Sequence, residues 1–235
     1  MIRERVRDLT LIEMDEKILV IAVDSCGGVG QKEMDELKVD PYFVGRLTAR
    51  VCIMEVLSAG AKVLTIINGV TNEFDTTGEK IFKGITDELI EANIDKIPVN
   101  GSSEENFKTV NTGVVITVIG VVEKENIKVS KDLSGLKVGL VGLPKVGSEI
   151  KLPYDPDIIS YKDLYTLLTN DNVIEIIPIG SKGIIGELKQ INCEVELSKN
   201  VKMDIHKSAG PATCVLVFYC GKLIDGVTEI GDVRR

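Results

Sequence analysis

Three short segments of the 235-residue chain carry residue types that bind phosphates or metal ions. The first, VDSCGGVGQK, joins Asp24 at the end of a predicted strand to Gly27, Gly28, Gly30 and Lys32. Glycines let backbone amides approach an anion closely, the lysine adds positive charge, and the aspartate could hold a metal. Neither GxxxxGK[ST] nor GxGxxG is present. A tight turn whose glycines serve backbone geometry explains this segment about equally well.

The second segment, VCIMEVLSAGA, places a carboxylate, Glu55, within a predicted helix. Helical spacing puts Met54 and Ser58 near its face and turns Arg46 and Arg50 toward another. Glu55 is therefore expected to face the interior or a cleft. A buried carboxylate needs a metal, an arginine or a proton, and a salt bridge at a helix edge is the simpler alternative.

The third segment, PVNGSSEENF, precedes the longest predicted strand. Its hydroxyls (Ser102, Ser103), carboxylates (Glu104, Glu105) and free amides could converge on a phosphate or on Mg²⁺. A solvated loop with a capping serine is the commoner structure for such a stretch, and for this segment alone it is favoured.

Composition excludes several classes of protein. The chain carries a formal net charge of −8, has no Trp and is only 4% aromatic, which disfavours nucleic acid as a partner. No apolar run reaches the roughly 18 residues of a membrane span, and the charged opening lacks a signal-peptide core, so a cytoplasmic protein without membrane partners is expected. The single histidine, His206, restricts zinc and Ser-His or Cys-His chemistry, and we expect it at the surface. Five cysteines without a CxxC pair suggest neither a disulfide framework nor a zinc knuckle.

The elements that must position these residues follow from apolar patterning. Predicted strands of the first half are Lys17–Asp24, Lys62–Asn68 and Thr112–Val122, the last long enough to be central. One helix begins at Asp40-Pro41 and stops at Gly60, and a second opens with a capping box of Thr76 and Glu79 and ends near Ala92-Asn93.

A polar, lysine-rich segment, Glu123–Lys137, predicts a surface connection between two domains, residues 1–125 and 126–235. The second half predicts strands at Val138–Leu143, Val173–Ile179, Glu194–Leu197 and Thr213–Tyr219, with helices at Tyr161–Leu168 and Ile184–Ile191. The chain is therefore predicted to be an α+β protein with two α/β-layered domains.

In combination and in this order, the three segments resemble the superfamily of aminoimidazole ribonucleotide synthetase, thiamine monophosphate kinase, selenophosphate synthetase and the hydrogenase-maturation dehydratase. Asp24 in IAVDS matches the strand-terminal Asp of the family's TTD or TD pattern, and GGVGQK resembles DGVGTK. Glu55 falls where the family has the Asp of ND or SD, and NGSSEENF takes the place of its GGDT or GGET turn. Asp8 lies close to where the kinases carry a GDD acid pair.

Members of that superfamily are ATP-dependent and bridge the phosphates of ATP with Mg²⁺. The resemblance implies an N-terminal domain of the aminoimidazole ribonucleotide synthetase type, a shortened C-terminal domain, and a homodimer through the N-terminal sheets. It implies Asp24 and Lys32 as catalytic residues. The implied metal ligands are Asp8, Asp24, Glu55 and Glu104, and the implied ATP and phosphate contacts are Gly27, Gly28, Gly30, Lys32, Ser102 and Ser103.

Departures from the family pattern indicate a side branch. Val23 stands where Thr is usual, Glu55 replaces Asp, and IIPIGSKGIIGEL only loosely resembles the family's glycine-rich DxTGGGL. The chain is most similar in style to α-ribazole kinase, with DSxGGxGxKExD, VGxxTARVxxMExL and GSxEENF, which implies phosphorylation of the 5′-hydroxyl of the nucleoside α-ribazole. Two alternatives stay open: another ATP-dependent ligase or dehydratase of the superfamily, and a non-catalytic nucleotide-binding regulatory protein.

Overall fold

The computed structural model describes residues 3–130, 132–191, 193–199, 201–222 and 224–234. The chain divides into two compact units. The first comprises Met1–Leu57 and Ala61–Glu125, and the second comprises Ser58–Gly60 and Asn126–Arg235. No helix within the described ranges is long and apolar enough to cross a membrane.

The first unit is a sheet covered by two helices. Its strands are β1 (Arg3–Val6), β2 (Leu9–Met14), β3 (Lys17–Gly27), β4 (Val29–Gly30), β5 (Leu37–Lys38), β6 (Lys62–Val70), β7 (Val99–Ser102) and β8 (Gly113–Glu123), and its helices are α1 (Pro41–Ser58) and α2 (Glu79–Glu91). Six strands form one sheet in the order β1-β2-β3-β8-β6-β7, and β4 pairs with β5 separately. Only the β6–β7 pair in the large sheet is parallel.

The two faces of this sheet differ because side chains alternate along each strand. On β3, Val20 and Ala22 are buried, whereas Val23, on the opposite face, is 57% exposed. β8 repeats the pattern, with Ile116 buried and Val115 exposed. One face therefore belongs to the core, and the opposite face presents apolar side chains outward.

Helices α1 and α2 approach each other closely at two glycines. A Cβ atom on Gly45 would lie 2.1 Å from the backbone oxygen of Ile81, and one on Gly84 would lie 2.0 Å from that of Tyr42. Beside this contact the buried Glu88 accepts a hydrogen bond from Arg46 Nε at 2.8 Å. Small residues thus allow the helix pair to pack over the sheet.

Most predicted elements of the first unit are confirmed. α1 begins at Pro41, where Asp40 Oδ1 accepts a hydrogen bond from the Tyr42 backbone N–H at 3.0 Å, and β8 lies between β3 and β6 as a central strand. The capping box of Thr76 and Glu79 is wrong. Thr76 has φ +76° and its hydroxyl donates to Glu73, and α2 begins at Glu79 without a side-chain cap. The charged strands β1 and β2 were not predicted.

The second unit is an antiparallel sheet with two short helices. Its elements are β9 (Lys137–Gly142), α3 (Tyr161–Leu168), β10 (Val173–Pro178), α4 (Gly183–Leu188), β11 (Val195–Leu197), β12 (Cys214–Tyr219) and β13 (Thr228–Val233). The strand order is β10-β12-β9-β13-β11. Every residue of β12 is buried, as befits an interior strand. The α+β class is confirmed; β13 was not predicted, because TEIGDV carries two acids and a glycine among few apolar residues.

Replacing Gly45 by alanine tests the contact between the helices. The added methyl would meet the Ile81 backbone oxygen, so we expect Gly45→Ala to lower the free energy of unfolding by about 1–3 kcal/mol, measured by denaturant titration. Gly69→Ala is the matched control, because a Cβ there meets no atom within 4 Å. A Gly45→Ala protein as stable as the wild type would contradict the close approach.

Candidate functional site

The end of β3 carries the aspartate that the sequence singled out. Asp24 and Cys26 point toward the helical layer, because they share the face of the buried Ala22. Burial raises the pKa of Asp24 to about 6, and the negative charge of Asp8 also raises it. A hydrogen bond from the Ser25 backbone N–H lowers this pKa but does not offset the burial. This carboxyl therefore sits where its charge is poorly solvated.

Asp8 lies in the turn between β1 and β2. The antiparallel pairing of Leu9 with Ala22 brings this turn to the end of β3, beside Asp24. The Asp8 side chain is 51% exposed, and Arg5 lies 4.0 Å from it. Carboxylate oxygens are the ligands that Mg²⁺ prefers, and two that repel each other gain from a cation between them. Asp8 and Asp24 thus fit a divalent cation.

Helix α1 covers the same part of the sheet with Cys52 and Glu55. The Cys52 thiol donates to the Ile116 backbone oxygen at 3.3 Å. Burial, followed by the charges of Asp24 and Glu55, raises its pKa, so the thiol stays protonated. Glu55 is only 7% exposed and lies in the interior, as its helical position predicts. Both carboxylates thus act on the same thiol.

These carboxylates do not converge into one ready-made metal cluster. Over the part of the chain that the structure describes, no three His, Cys, Asp or Glu side chains are grouped so that they could hold a metal ion. Asp8 and Asp24 interact with each other, Asp24 and Glu55 share an influence on Cys52, and Glu104 belongs to a separate loop. The four predicted ligands are thus only partly brought together.

The glycine turn, residues 27–30, leads from β3 into β4. Gly28 and Gly30 have φ of +72° and +155°, which glycine adopts without strain. A Cβ on Gly30 would also lie 2.2 Å from Thr112 Oγ1, whereas a Cβ on Gly27 or Gly28 would meet nothing within 4 Å. Backbone geometry therefore explains both Gly28 and Gly30. The Gly28 backbone N–H also donates to the Thr112 backbone oxygen at 2.9 Å, so the space that the turn leaves for a ligand is beside Gly27.

Asp35, which was not predicted, organises this turn. Its carboxylate is 5% exposed and accepts hydrogen bonds from the Lys32 backbone N–H at 2.8 Å and from the backbone N–H and the hydroxyl of Thr112, both at 2.7 Å. Burial would raise the pKa of Asp35, but these hydrogen bonds hold it below its ordinary value. The available sequence signal was its position as the last residue of the DSxGGxGxKExD pattern.

The Lys32 side chain pairs with Glu73, another residue that was not predicted. Lys32 Nζ donates to Glu73 Oε2 at 2.5 Å. Glu73 follows the end of β6, which lies two strands away from β3 in the sheet. An acidic residue soon after a predicted strand was the only sequence signal for this role.

The segment from Ser102 to Glu105 behaves largely as a capped loop. Ser102 ends β7 and is exposed, and the Ser103 hydroxyl donates to Glu105 Oε1 at 2.5 Å. Glu104 Oε1 accepts hydrogen bonds from the backbone N–H groups of Asn106 and Phe107 at 2.7 and 3.2 Å. The Glu104 carboxylate is thus engaged in its own loop.

A buried asparagine, Asn72, ties these loops together. Its Oδ1 accepts from the Gly113 backbone N–H at 3.0 Å, and its Nδ2 donates to the Asn111 backbone oxygen at 2.7 Å. The Met34 backbone N–H also donates to the Val110 backbone oxygen at 2.9 Å. The loops after β3 and β6 and before β8 therefore form one hydrogen-bonded layer at one end of the sheet.

The second unit supplies the histidine. His206 is exposed, as expected, and its backbone N–H donates to Asp204 Oδ1 at 2.9 Å. The motif IIPIGSKGIIGEL forms the end of β10 and the whole of α4. Neither the imidazole nor this motif lies in the first unit with Asp24.

The raised pKa of Asp24 predicts a pH-dependent effect on stability. Between pH 4 and pH 6 the unfolded chain loses the Asp24 proton first, so the folded state is penalised increasingly as pH rises. In chelator-treated protein, Asp24→Asn should match the wild type at pH 4 and exceed its free energy of unfolding by about 1–2 kcal/mol at pH 7.5, allowing for partial solvation. Denaturant titration at both pH values measures the difference. The exposed Asp75→Asn is the control, and a pH-independent difference for Asp24→Asn would contradict the assignment.

Comparisons with known proteins identify the fold. No protein-family model matches the sequence, and a search of curated proteins finds no match. Solved structures do match: AaThiL complexed with AMPPCP and TMP has a TM-score of 0.67 at 14% identity, covering 97% of this chain and 84% of that chain. Thiamine monophosphate kinase from Aquifex aeolicus has a TM-score of 0.65 at 16% identity, and the match covers 98% of this chain and 90% of that chain.

A second enzyme shares the architecture over part of its length. PurL from Thermotoga maritima, complexed with AMPPCP, has a TM-score of 0.65 at 16% identity and covers 97% of this chain, which spans only 37% of that longer protein. At such low identity the likeness concerns the fold alone. The chain therefore has the fold of thiamine monophosphate kinase and PurL, and the fold that the motif resemblance implied is confirmed.

Proposed function

We propose that this protein is a Mg-ATP-dependent kinase of a small molecule, with the 5′-hydroxyl of α-ribazole as the acceptor. One observation carries the proposal: a single end of the first-unit sheet gathers a carboxylate pair, an open glycine turn and a fixed lysine. The shared fold with AaThiL, which was solved with AMPPCP and TMP, supports a nucleotide as the ligand. The acceptor rests on the motif resemblance to α-ribazole kinase.

Phosphoryl transfer suits these residues, because it needs positioning and charge neutralisation rather than a covalent nucleophile. Burial raises the pKa of the Cys52 and Cys26 thiols, so both stay protonated and neither supplies a thiolate nucleophile. Asp8 and Asp24 would hold Mg²⁺, and bound Mg²⁺ supplies neutralisation of the phosphate charge. With such a cation, a net charge of −8 is compatible with a small anionic ligand.

The other candidate phosphate and metal ligands are supported to different degrees. Open space lies beside Gly27 and Lys32 supplies a cation, so these groups would contact phosphates. Gly28, Ser102 and Ser103 stay candidates through the motif resemblance, although the Gly28 backbone N–H already donates to the Thr112 backbone oxygen at 2.9 Å. Gly30 contributes to the shape of the turn. Glu55 stays a candidate metal ligand on the strength of the motif resemblance, and Glu104 is the weakest candidate because its carboxylate caps its own loop.

A ligase or dehydratase of the same superfamily is the second candidate. The likeness to PurL, a fold neighbour solved with AMPPCP, favours it. The products separate the two reactions. A kinase makes ADP and a phosphomonoester, whereas a ligase or dehydratase releases inorganic phosphate.

Incubation with Mg-ATP and a panel of nucleosides that includes α-ribazole tests the kinase proposal. We expect mass spectrometry to show one phosphate-mass increment on α-ribazole, with ADP formed in equal amount. Asp24→Asn should lower kcat/KM at least about 100-fold, because the cation and its phosphates lose a charged ligand. Asp95→Asn, at an exposed aspartate outside both the carboxylate pair and the loop of Glu73, is the control. Inorganic phosphate release without an increment on any nucleoside would favour the second candidate and reject the kinase.

A homodimer through the first-unit sheet is also part of this proposal. Val23, Val115 and Ile67 are 57%, 44% and 44% exposed, and they lie on neighbouring strands of the outward face. The pairing of Val23 with Thr117, and of Thr117 with Ile67, makes this face continuous. A second copy of the same face would cover it with matching apolar side chains.

Sedimentation at micromolar concentration tests the dimer. We expect the wild type to sediment as a dimer and Val115→Glu to sediment as a monomer, because the variant places a charge in the apolar face. Ile90→Glu serves as the control, since Ile90 is 69% exposed on α2, away from this face. A monomeric wild type would contradict the dimer while leaving the kinase proposal intact.

A further inference from the structure

Glu73 is the feature of the candidate site that the motif resemblance does not account for. It contacts Lys32 across 41 residues of sequence, with side chains 35% and 21% exposed. Its other oxygen, Oε1, accepts hydrogen bonds from the hydroxyls of Thr77 and Thr76 at 2.6 and 3.1 Å. Both oxygens of this carboxylate are therefore occupied, and its orientation is fixed from two sides.

The chain around Glu73 is shaped to hold it. Thr76, a β-branched residue, has φ +76°, a conformation that L residues rarely adopt and that neighbouring contacts must maintain. The Gly78 backbone N–H donates to the Glu73 backbone oxygen at 3.0 Å, and the Phe74 backbone N–H donates to Glu105 Oε1 at 2.9 Å. This turn therefore presents the Thr76 and Thr77 hydroxyls to the carboxylate.

The carboxylate also stays ionised. Burial by itself would raise the pKa of Glu73, but the hydrogen bonds from Lys32, Thr77 and Thr76 lower it to about 2. Glu73 is consequently an anion at neutral pH. A fixed anion is able to hold a flexible ammonium group in one place.

Lys32 is held at its backbone as well. Asp35 accepts a hydrogen bond from the Lys32 backbone N–H at 2.8 Å. Asp35 therefore fixes the Lys32 backbone, and Glu73 fixes its ammonium group. A lysine side chain otherwise samples many rotamers, and ordering it costs entropy. The two acids thus hold Lys32, two residues after Gly30, at both its backbone and its ammonium group before any ligand binds.

We propose that Glu73 is a positioning residue that holds the Lys32 ammonium group beside the glycine turn, ready for the phosphate groups of a nucleotide. This role rests on the proposed function. Glu73 touches neither substrate nor metal in this scheme and acts through Lys32 alone. Replacing Glu73 should therefore lower the rate of phosphoryl transfer more than it weakens nucleotide binding.

A double-mutant cycle on kcat and KM for Mg-ATP tests the role, with the acceptor identified in the nucleoside panel. Glu73→Gln keeps an oxygen for the threonine hydroxyls but removes the charge. We expect it to lower kcat about 10-fold and to change KM less than about 3-fold. In a Lys32→Met background the same substitution should have no further effect. The exposed Glu79→Gln is the matched control.

Equal losses from Glu73→Gln in both backgrounds would overturn the proposal, because a purely structural role does not depend on Lys32. A readout without turnover keeps this result separate from failure of the kinase proposal. Acylation by an N-hydroxysuccinimide ester, followed by peptide mass spectrometry, reports the reactivity of Lys32 relative to the exposed Lys62. We expect Glu73→Gln to change this ratio at least about 3-fold, since the ammonium loses its anionic partner. An unchanged ratio would overturn the positioning role even if no substrate is turned over.

Discussion

The pairing of β3 with β8 along eleven residues is the constraint on which the first unit depends. Because side chains alternate along a strand, this register decides which side chains of β3 and β8 face the core and which face outward. Asp24 and Ile116 face α1, and their neighbours Val23 and Val115 face outward. A shift of one residue would exchange the two sets, placing the carboxylate on the outer face and valines against the helix.

Polar side chains then convert one end of this sheet into a single layer of loops. Asp35 and Asn72 both bond to the segment before β8, and Glu73 bonds to Lys32 after β3, so each of the three joins segments remote in sequence. Buried polar groups must be satisfied, so their partners fix the conformation of loops that contain little apolar surface. The glycine turn is thus tied by Asp35 to Lys32 and Thr112, and open space remains beside Gly27.

The carboxylates at this end of the sheet fall into two groups with opposite pKa shifts. Some carboxylates have cationic or amide partners that hold their pKa values down, as in Asp35 and Glu73. Asp24 is different, because burial and Asp8 both raise its pKa. This contrast separates acids that build the loops from the pair that fits a cation, and it supports a nucleotide delivered with Mg²⁺ as the ligand of the proposed kinase.

The sequence by itself determined the elements whose signals are local. Apolar runs located β3, β6 and β8, Asp40-Pro41 marked the start of α1, and the motif order predicted the fold shared with thiamine monophosphate kinase. Asp24 and the glycine turn were found in the same way. Tertiary structure alone decided the capping of the glycine turn by Asp35 and Thr112, which are 77 residues apart, and the pairing of Lys32 with Glu73. Turn and helix propensities act over a few neighbouring residues, whereas these contacts exist because the strand order β3-β8-β6 brings distant loops to the same end of the sheet.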